Sequence, residues 1–392
     1  MKAKDLLNDI LTRNVEDLIV RDELEKKLKG GKKLRVKLGI DPTGSRIHIG
    51  RATVLWKLAQ LQQLGHTITL VIGSFTAQIG DSSDKDSERQ MLTKEQVQEN
   101  FKTYKKQFSK ILDMDKVELY YNGDWFEKMH LEEFFKLTSL FTIQQMIERE
   151  NFALRIDANK PVGLHETLYP LLQGYDSVKL KTDLEMGGTD QLFNMLAGRT
   201  VQKAYGQAPQ SVMTFRLMEG TDGRKMSTSW GNCIYIDEEP LEMYGKVMTI
   251  KDELIPSYFK LATDVPLNII EQIEKDMSLG DNPRDTKASL AREIVARYHG
   301  SAAATKAEKE WEAQFREGNK PTQIESAKAS KGRLFEVVSE AFGISKSEAR
   351  RLIGQGGVKL NDEIKKDADE MVEQDCMLQI GKRRYKNIQI KK

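Results

Sequence analysis

Residues 34–40, Leu-Arg-Val-Lys-Leu-Gly-Ile, alternate in polarity as a half-buried strand does, and Asp41-Pro42-Thr43-Gly44 closes them with turn chemistry. Val54, Leu58, Leu61 and Leu64 then recur at helical spacing, which predicts a helix beginning near His48 or Gly50 and stopping at Gly65. Residues 67–73, Thr-Ile-Thr-Leu-Val-Ile-Gly, carry no charge and are rich in β-branched side chains, the pattern of a buried strand. Strand, helix and strand form a βαβ unit, the building block of an open, doubly wound parallel sheet.

Residues 94–112 and 130–150 read as two further helices. The second contains Leu131-Glu-Glu-Phe-Phe-Lys-Leu-Thr-Ser-Leu-Phe-Thr-Ile, more apolar positions than one core-facing stripe needs. Two explanations stand: a helix buried on most sides within its own subunit, or a second apolar face covered by another subunit. Residues 241–316 are expected to be helical, with no glycine in 248–279. The stretch from Asn319 to Gly332 reads as a linker. After it come two short helices, then Gly356-Gly-Val-Lys-Leu-Asn-Asp362 and short strands, a compact α+β unit. The expected divisions are 1–232, a helical domain at 233–320, a linker at 321–331 and a small domain at 332–392.

Composition changes this picture little. The chain has 392 residues, 39% hydrophobic and 31% charged, with formal net charge +2, which excludes neither nucleic acid nor a small molecule as partner. Cys233 and Cys376 show no Cys-x-x-Cys spacing, which disfavours a disulfide scaffold and a thiolate zinc site and fits a reducing compartment. No signal-peptide core and no run of about 18 apolar residues occurs. A soluble, cytoplasmic protein without membrane contact is expected.

The candidate chemistry concentrates in three places. His48-Ile-Gly50-Arg51 falls where a parallel strand gives way to a helix, and the free first-turn amides of such a helix suit a phosphate. His48 can donate to a phosphate oxygen, or can simply cap the helix; Gly50 permits close approach of a ligand, or simply a tight helix start. Lys225-Met226-Ser227-Thr228-Ser229 supplies a cation and hydroxyls, bracketed by Gly220, Gly223 and Gly231. Alone it could be a solvated turn; paired with the His48 segment it suggests a nucleotide held from both sides, with Lys225 closing on the phosphates. Neither a Gly-x-x-x-x-Gly-Lys-Ser/Thr loop nor a Gly-x-Gly-x-x-Gly fingerprint is present.

The third place is Tyr169, Gln173 and Asp176, spaced by four and three. On a helix they share one face, with the outer two about 10 Å apart along the axis. That length matches an amino acid with a ring and a polar tip: the ammonium at Tyr169 and Gln173, a phenol hydroxyl at Asp176. Asp81, after the second strand, could add a carboxylate for the ammonium. A polar helical edge is the plain alternative, although Pro170 and Gly174 are poor choices for one. Asp190-Gln191 reads as a further polar turn beside the sheet edge.

With these residues in view, the chain resembles the bacterial tyrosyl-tRNA synthetases over nearly its whole length. Asp41-Pro-Thr43-Gly-Ser-Arg-Ile-His48-Ile-Gly50-Arg51 and Lys225–Ser229 look like the two signatures of their class I catalytic domain. Residues 169–176 and 186–191 resemble their tyrosine pocket. The resemblance implies a Rossmann-like open parallel sheet catalytic domain with a dimer-forming insertion, a helical anticodon-binding domain and a small α+β RNA-binding domain like one found in a ribosomal protein. It implies that Tyr169, Gln173 and Asp81 hold the substrate ammonium, that Asp176 binds the phenol and that Gln191 helps hold the carboxylate, with Asp41 and Lys37 at the same pocket. His48, Thr43, Lys225 and Arg51 would act on the ATP phosphates, and Gly50, Gly188, Asp190, Met226, Ser227, Thr228 and Ser229 would bind ATP. Lys346, Arg350, Arg351, Lys382, Arg383 and Arg384 are the candidate RNA contacts. The implied partners are L-tyrosine, ATP with Mg²⁺, tRNA(Tyr) and a second copy of the chain, with no metal held by the protein.

Three positions depart from the family pattern. Arg51 replaces a second histidine, which should alter ribose or phosphate contacts. Thr228 replaces a second lysine, leaving Lys225 as the loop's phosphate cation. Lys37 stands where many members place a tyrosine on the phenol. Two rival readings are a relative that activates tryptophan, against which Asp176 argues, and an RNA-binding protein on a catalytically retired scaffold.

Overall fold

The computed structural model describes residues 3–42, 44–81, 92–316, 325–381 and 384–391. Two compact units divide the chain, residues 1–308 and 309–392.

The first unit is built on six strands: β1 (Val15–Ile19), β2 (Arg35–Ile40), β3 (Thr67–Ile72), β4 (Val117–Tyr121), β5 (Leu184–Gly188) and β6 (Ser211–Phe215). Their order is β1-β6-β5-β2-β3-β4. All neighbours run parallel except β1, which pairs antiparallel with β6 at one edge. From β2 the chain winds outward through β3 and β4, then crosses to the other side for β5 and β6. The carboxyl ends of β2 and β5 therefore flank a topological switch point, where open sheets of this kind leave a crevice for a ligand.

The expected βαβ unit is present, with the helix Ile49–Gln63 joining β2 to β3 in parallel register. This helix is buried on more than one face, because residues beyond 232 cover its outer side. Ile49 N donates to Ile234 O at 2.8 Å and Ile236 N to Ile47 O at 3.0 Å. Trp56 donates its indole N–H to Tyr298 Oη at 3.2 Å, and the Arg297 guanidinium lies 4.1 Å from the Trp56 ring centroid. Residues 233–308 thus fold in one compact unit with the sheet. Prolines and glycines cut this region into the helices Pro240–Met248, Ile255–Ala262, Leu267–Ser278 and Pro283–His299, followed by Ser301–Arg316.

The two long helices expected at 94–112 and 130–150 are broken. Lys94–Phe101 and Tyr104–Phe108 replace the first; Leu131–Thr138, Ile143–Ile147 and Glu150–Asp157 replace the second. Thr142 starts a new helix by a reciprocal capping box with Gln145, a local signal that outweighs continuous apolar patterning.

Helix Leu164–Leu180 lies against helix Leu192–Ala204, and Gly174 explains how closely: a Cβ there would sit 3.0 Å from Gly198 Cα. The glycine that argued against a structural role for this helix has one, helix–helix packing.

The second unit contains β7 (Glu325–Ser330), β8 (Gly332–Arg333), β9 (Val358–Leu360), β10 (Glu363–Lys365), β11 (Met371–Val372), β12 (Cys376–Ile380) and β13 (Arg384–Lys391). Five of them form a sheet in the order β10-β9-β12-β13-β7, and β11 pairs with β8. Helices Leu334–Phe342 and Lys346–Gly354 pack on a core that includes Val337, Val338, Ile353, Leu378 and Ile388. Residues 325–330, expected within a linker, are instead a strand. They align parallel to β13 from Glu325 opposite Lys386 to Ser330 opposite Lys391, so backbone pairing overrides a polar composition.

Candidate active site

A cavity of about 440 Å³ opens at the switch point. It is walled by the ends of β2, β3 and β5, one face of helix Leu164–Leu180, the start of helix Ile49–Gln63 and the Lys225 loop.

At one end of the cavity, His48 is the N-cap of its helix, and its Nδ1 accepts from Arg51 N at 3.3 Å. Burial, reinforced by the charges of Arg51 and Lys225, holds the imidazole down at about 3. A neutral ring whose Nδ1 accepts carries its proton on Nε2, so His48 is a donor without being a cation. Arg51 and Gly50 also line the cavity. Thr43 lies outside the described residues.

The Lys225 loop is folded back on itself by Asn232. The Asn232 side chain accepts from Ser227 N at 2.9 Å and donates to Asp222 at 2.8 Å and to Lys225 O at 3.1 Å. Met226 is buried and its N–H bonds Met218 O at 2.9 Å. Gly223 and Gly231 take φ of 85° and 66°, a region that favours glycine. Lys225, Ser227, Thr228 and Ser229 face the cavity, with Lys225 Nζ 3.4 Å from Asp190 Oδ2. Arg224, the loop's other cation, is paired with Asp222 and stacks on Trp230.

On the opposite wall, Tyr169, Gln173 and Asp176 all line the cavity from one helix. Tyr169 Oη donates to Asp41 Oδ2 at 2.8 Å, and burial beside Asp41 raises its phenol well above the ordinary value. Thr76 fixes the other Asp41 oxygen at 2.9 Å, and a Cβ at Gly73 would overlap that oxygen, so glycine is required there. Asp176 is buried and accepts from Trp125 Nε1 at 2.9 Å and Asn122 Nδ2 at 3.3 Å. Its carboxyl is pushed up to about 7 by burial, against the opposing pull of Lys37, Asn122 and Trp125.

Asp81 pairs with Arg149 at 3.1 Å and accepts from Gln191 Nε2 at 2.7 Å. Gly188 ends β5, which lies between β6 and β2, and Asp190 and Gln191 follow it; all three are central to the sheet and not beside its edge. Lys37 does not line the cavity. It is buried at 1% exposure and forms an ion pair with Glu185 at 2.9 Å behind Gln173.

Glu185, Asn194, Arg149, Trp125 and Asn122 were not singled out from sequence. For Glu185 a signal existed: Lys37 and Glu185 are charges with apolar residues on both sides in two central strands, and partners across β2 and β5. The others are brought in by tertiary packing that no local pattern encodes.

In the second unit, Lys346, Arg350 and Arg351 are exposed and paired with Glu336, Asp369 and Glu348. Arg384 reaches Phe342 O at 3.3 Å. Lys382 and Arg383 lie outside the described residues. Among the described residues, no group of three or more His, Cys, Asp or Glu gathers that could hold a metal ion.

Residues 29–316 match the family of class I tRNA synthetases (W and Y), and residues 332–375 match the S4 domain. A tyrosine–tRNA ligase of Thermotoga maritima is 47% identical over 97% of this chain and 96% of its own. One from Carboxydothermus hydrogenoformans is 45% identical over 97% of each. Among solved structures, a tyrosyl-tRNA synthetase from Archaeoglobus fulgidus complexed with L-tyrosine aligns with TM-score 0.62 at 22% identity, covering 79% of this chain and all of that one. That last likeness is one of fold.

Proposed function

We propose that this chain, which belongs to the class I tRNA synthetases of the tryptophan and tyrosine family, uses the pocket at the β2–β5 switch point for both of its small substrates. The chain activates tyrosine with ATP and transfers it to tRNA. The observation that carries the residue assignment is the helix wall: Asp176 is buried at one point, with Tyr169, Asp41 and Asp81 gathered at another. A phenol donates to Asp176, while an ammonium finds acceptors in Tyr169, Gln173 and Asp81. Phenylalanine fails because it leaves the buried Asp176 oxygens without the substrate's donor.

ATP enters with Mg²⁺ between the His48 helix and the Lys225 loop. The tyrosine carboxylate attacks the α-phosphate, and pyrophosphate leaves. His48 Nε2–H and Lys225 stabilise the negative charge that grows on the phosphates, and they do so most in the transition state. A terminal ribose hydroxyl of tRNA(Tyr) then attacks the activated carbonyl, forming the tyrosyl ester as AMP leaves and the hydroxyl proton is released. Gln191 orients the carboxylate. Neither step requires a covalent enzyme nucleophile; orientation and charge suffice. Arg51, where the family pattern has a histidine, still offers a donor to the nucleotide with altered ribose or phosphate contacts; Thr228, where it has a lysine, leaves Lys225 as the loop's phosphate cation.

The S4 domain binds RNA. We assign its phosphate contacts to Lys346, Arg350, Arg351 and Arg384; the surface pairs of the first three are weak enough to exchange onto phosphates. Leu131, Phe135, Ile143, Leu154, Ile156 and Leu164 are exposed apolar side chains between residues 131 and 164, which supports burial against a second copy of the chain. Among the described residues no helix is long and apolar enough to cross a membrane, and we place the protein in the cytoplasm, where tRNA is charged.

Asp176→Ala tests the assignment. Its preference for tyrosine over phenylalanine in ATP–pyrophosphate exchange should collapse by about 1–3 kcal/mol of discrimination. An unchanged preference would remove Asp176 from phenol recognition.

A further inference from the structure

The cavity's amino end is wired to a buried ion pair behind it. Lys37 on β2 and Glu185 on β5 are register partners, each 1% exposed. Lys37 Nζ has three hydrogens and three acceptors: Glu185 Oε1 at 2.9 Å, Gln173 O at 2.9 Å and Ser177 Oγ at 2.7 Å. Glu185 Oε1 also accepts from Gln173 Nε2 at 3.0 Å, and Oε2 accepts from Ser177 Oγ and Gln210 Nε2.

The direction of these bonds matters. A carboxylate paired with a lysine only accepts, so the Gln173 amide must turn its NH₂ to Glu185 and its Oε1 away. That Oε1 accepts from Asn194 Nδ2 at 3.1 Å, and the same Asn194 nitrogen donates to Gln191 Oε1 at 3.0 Å. Gln191 is thereby left with its Nε2 toward Asp81, at 2.7 Å. Asn194 is fully buried and its Oδ1 has no hydrogen-bond partner. Turning it over would aim that oxygen at the carbonyl oxygens of both glutamines. Two acceptors, Glu185 at one end and Asp81 at the other, therefore fix the sense of the three amides between them.

An ammonium needs acceptors, and a carbonyl oxygen has a second lone pair to offer. With Gln173 turned the other way, an NH₂ would face the ammonium instead. We propose that Lys37 and Glu185, acting through Gln173 with Asn194 behind it, are positioning residues that present an acceptor, Gln173 Oε1, at the amino end of the pocket. This rests on the assignment of Gln173 and Asp81 to the tyrosine ammonium made above. It also gives Lys37 a role other than direct contact with the phenol.

The test measures equilibrium binding by calorimetry of L-tyrosine and of 3-(4-hydroxyphenyl)propanoate, the same molecule without its amino group. Removing Glu185 alone strands a buried lysine, so the variants are Lys37→Met with Glu185→Gln, and separately Asn194→Leu, which removes no charge. In both, tyrosine should bind at least about tenfold more weakly, the loss expected when hydrogen bonds to a charged group are spoiled. The analogue should bind within about twofold of its original affinity in Lys37→Met with Glu185→Gln, where Asp81 still holds Gln191 at the carboxylate and binding certifies the fold; in Asn194→Leu, which also removes a donor to Gln191 Oε1, it should weaken less than tyrosine does. Equal weakening of both ligands, or no change in tyrosine binding, overturns the positioning role. Failure of the unaltered protein to bind tyrosine is a different result: it overturns the pocket assignment itself and this inference with it.

Discussion

In the proposed function, Asp176 concentrates the chemistry of recognition in one carboxyl group. Burial places its folded-state value at about 7, above the ordinary aspartate range. The folded protein therefore holds this proton more tightly than the unfolded chain. The stability it contributes is full below about pH 4 and is lost as pH rises toward 7, because ionising a buried carboxyl opposes folding. Asp176→Asn removes that titration. Its melting temperature relative to the unaltered protein should rise in the variant's favour between pH 5 and pH 8, by calorimetry without ligands; a difference flat across that range would contradict the buried, proton-holding carboxyl. His48 shows the opposite case: a ring held neutral by burial and neighbouring cations serves as a donor and does not titrate near neutrality.

At the scale of elements, the site is a meeting of one loop, one helix and the ends of three strands. The Lys225 loop is closed by Asn232 and two glycines at positive φ, a geometry that holds Lys225 at the cavity while its side chain remains one-third exposed. Lys225→Ala should bind tyrosine nearly as before but form adenylate about 10²-fold more slowly, in line with the loss of one transition-state charge contact. Single-turnover kinetics check this, and comparable rates would remove the loop from catalysis. Much of this was legible locally. The βαβ unit followed from periodicity, His48 from its place before a helix, and Tyr169, Gln173 and Asp176 from a shared helical face. What was not legible depends on sequence-distant packing. Trp125 and Asn122 reach Asp176 from beyond β4, and Arg149 reaches Asp81 across 68 residues. The long helix at 130–150 failed because apolar periodicity does not register a capping box, and the strand 325–330 was hidden because its partner lies at the other end of the unit.

At the scale of the molecule, two units each close a core of their own, and the first keeps an apolar face between residues 131 and 164 open to solvent, with Leu131 73% and Phe135 65% exposed. A second copy covering that face implies that Phe135→Asp yields a monomer by sedimentation, whereas the unaltered chain sediments as a dimer; a dimer retained by the variant would place the interface elsewhere. In the proposed function, the switch-point pocket selects tyrosine and joins it to adenylate. ATP–pyrophosphate exchange, run separately with each of the twenty amino acids, measures that directly. Exchange with tyrosine alone is the predicted result. Exchange with tryptophan alone, or with no amino acid by folded protein supplied with Mg²⁺, would contradict it.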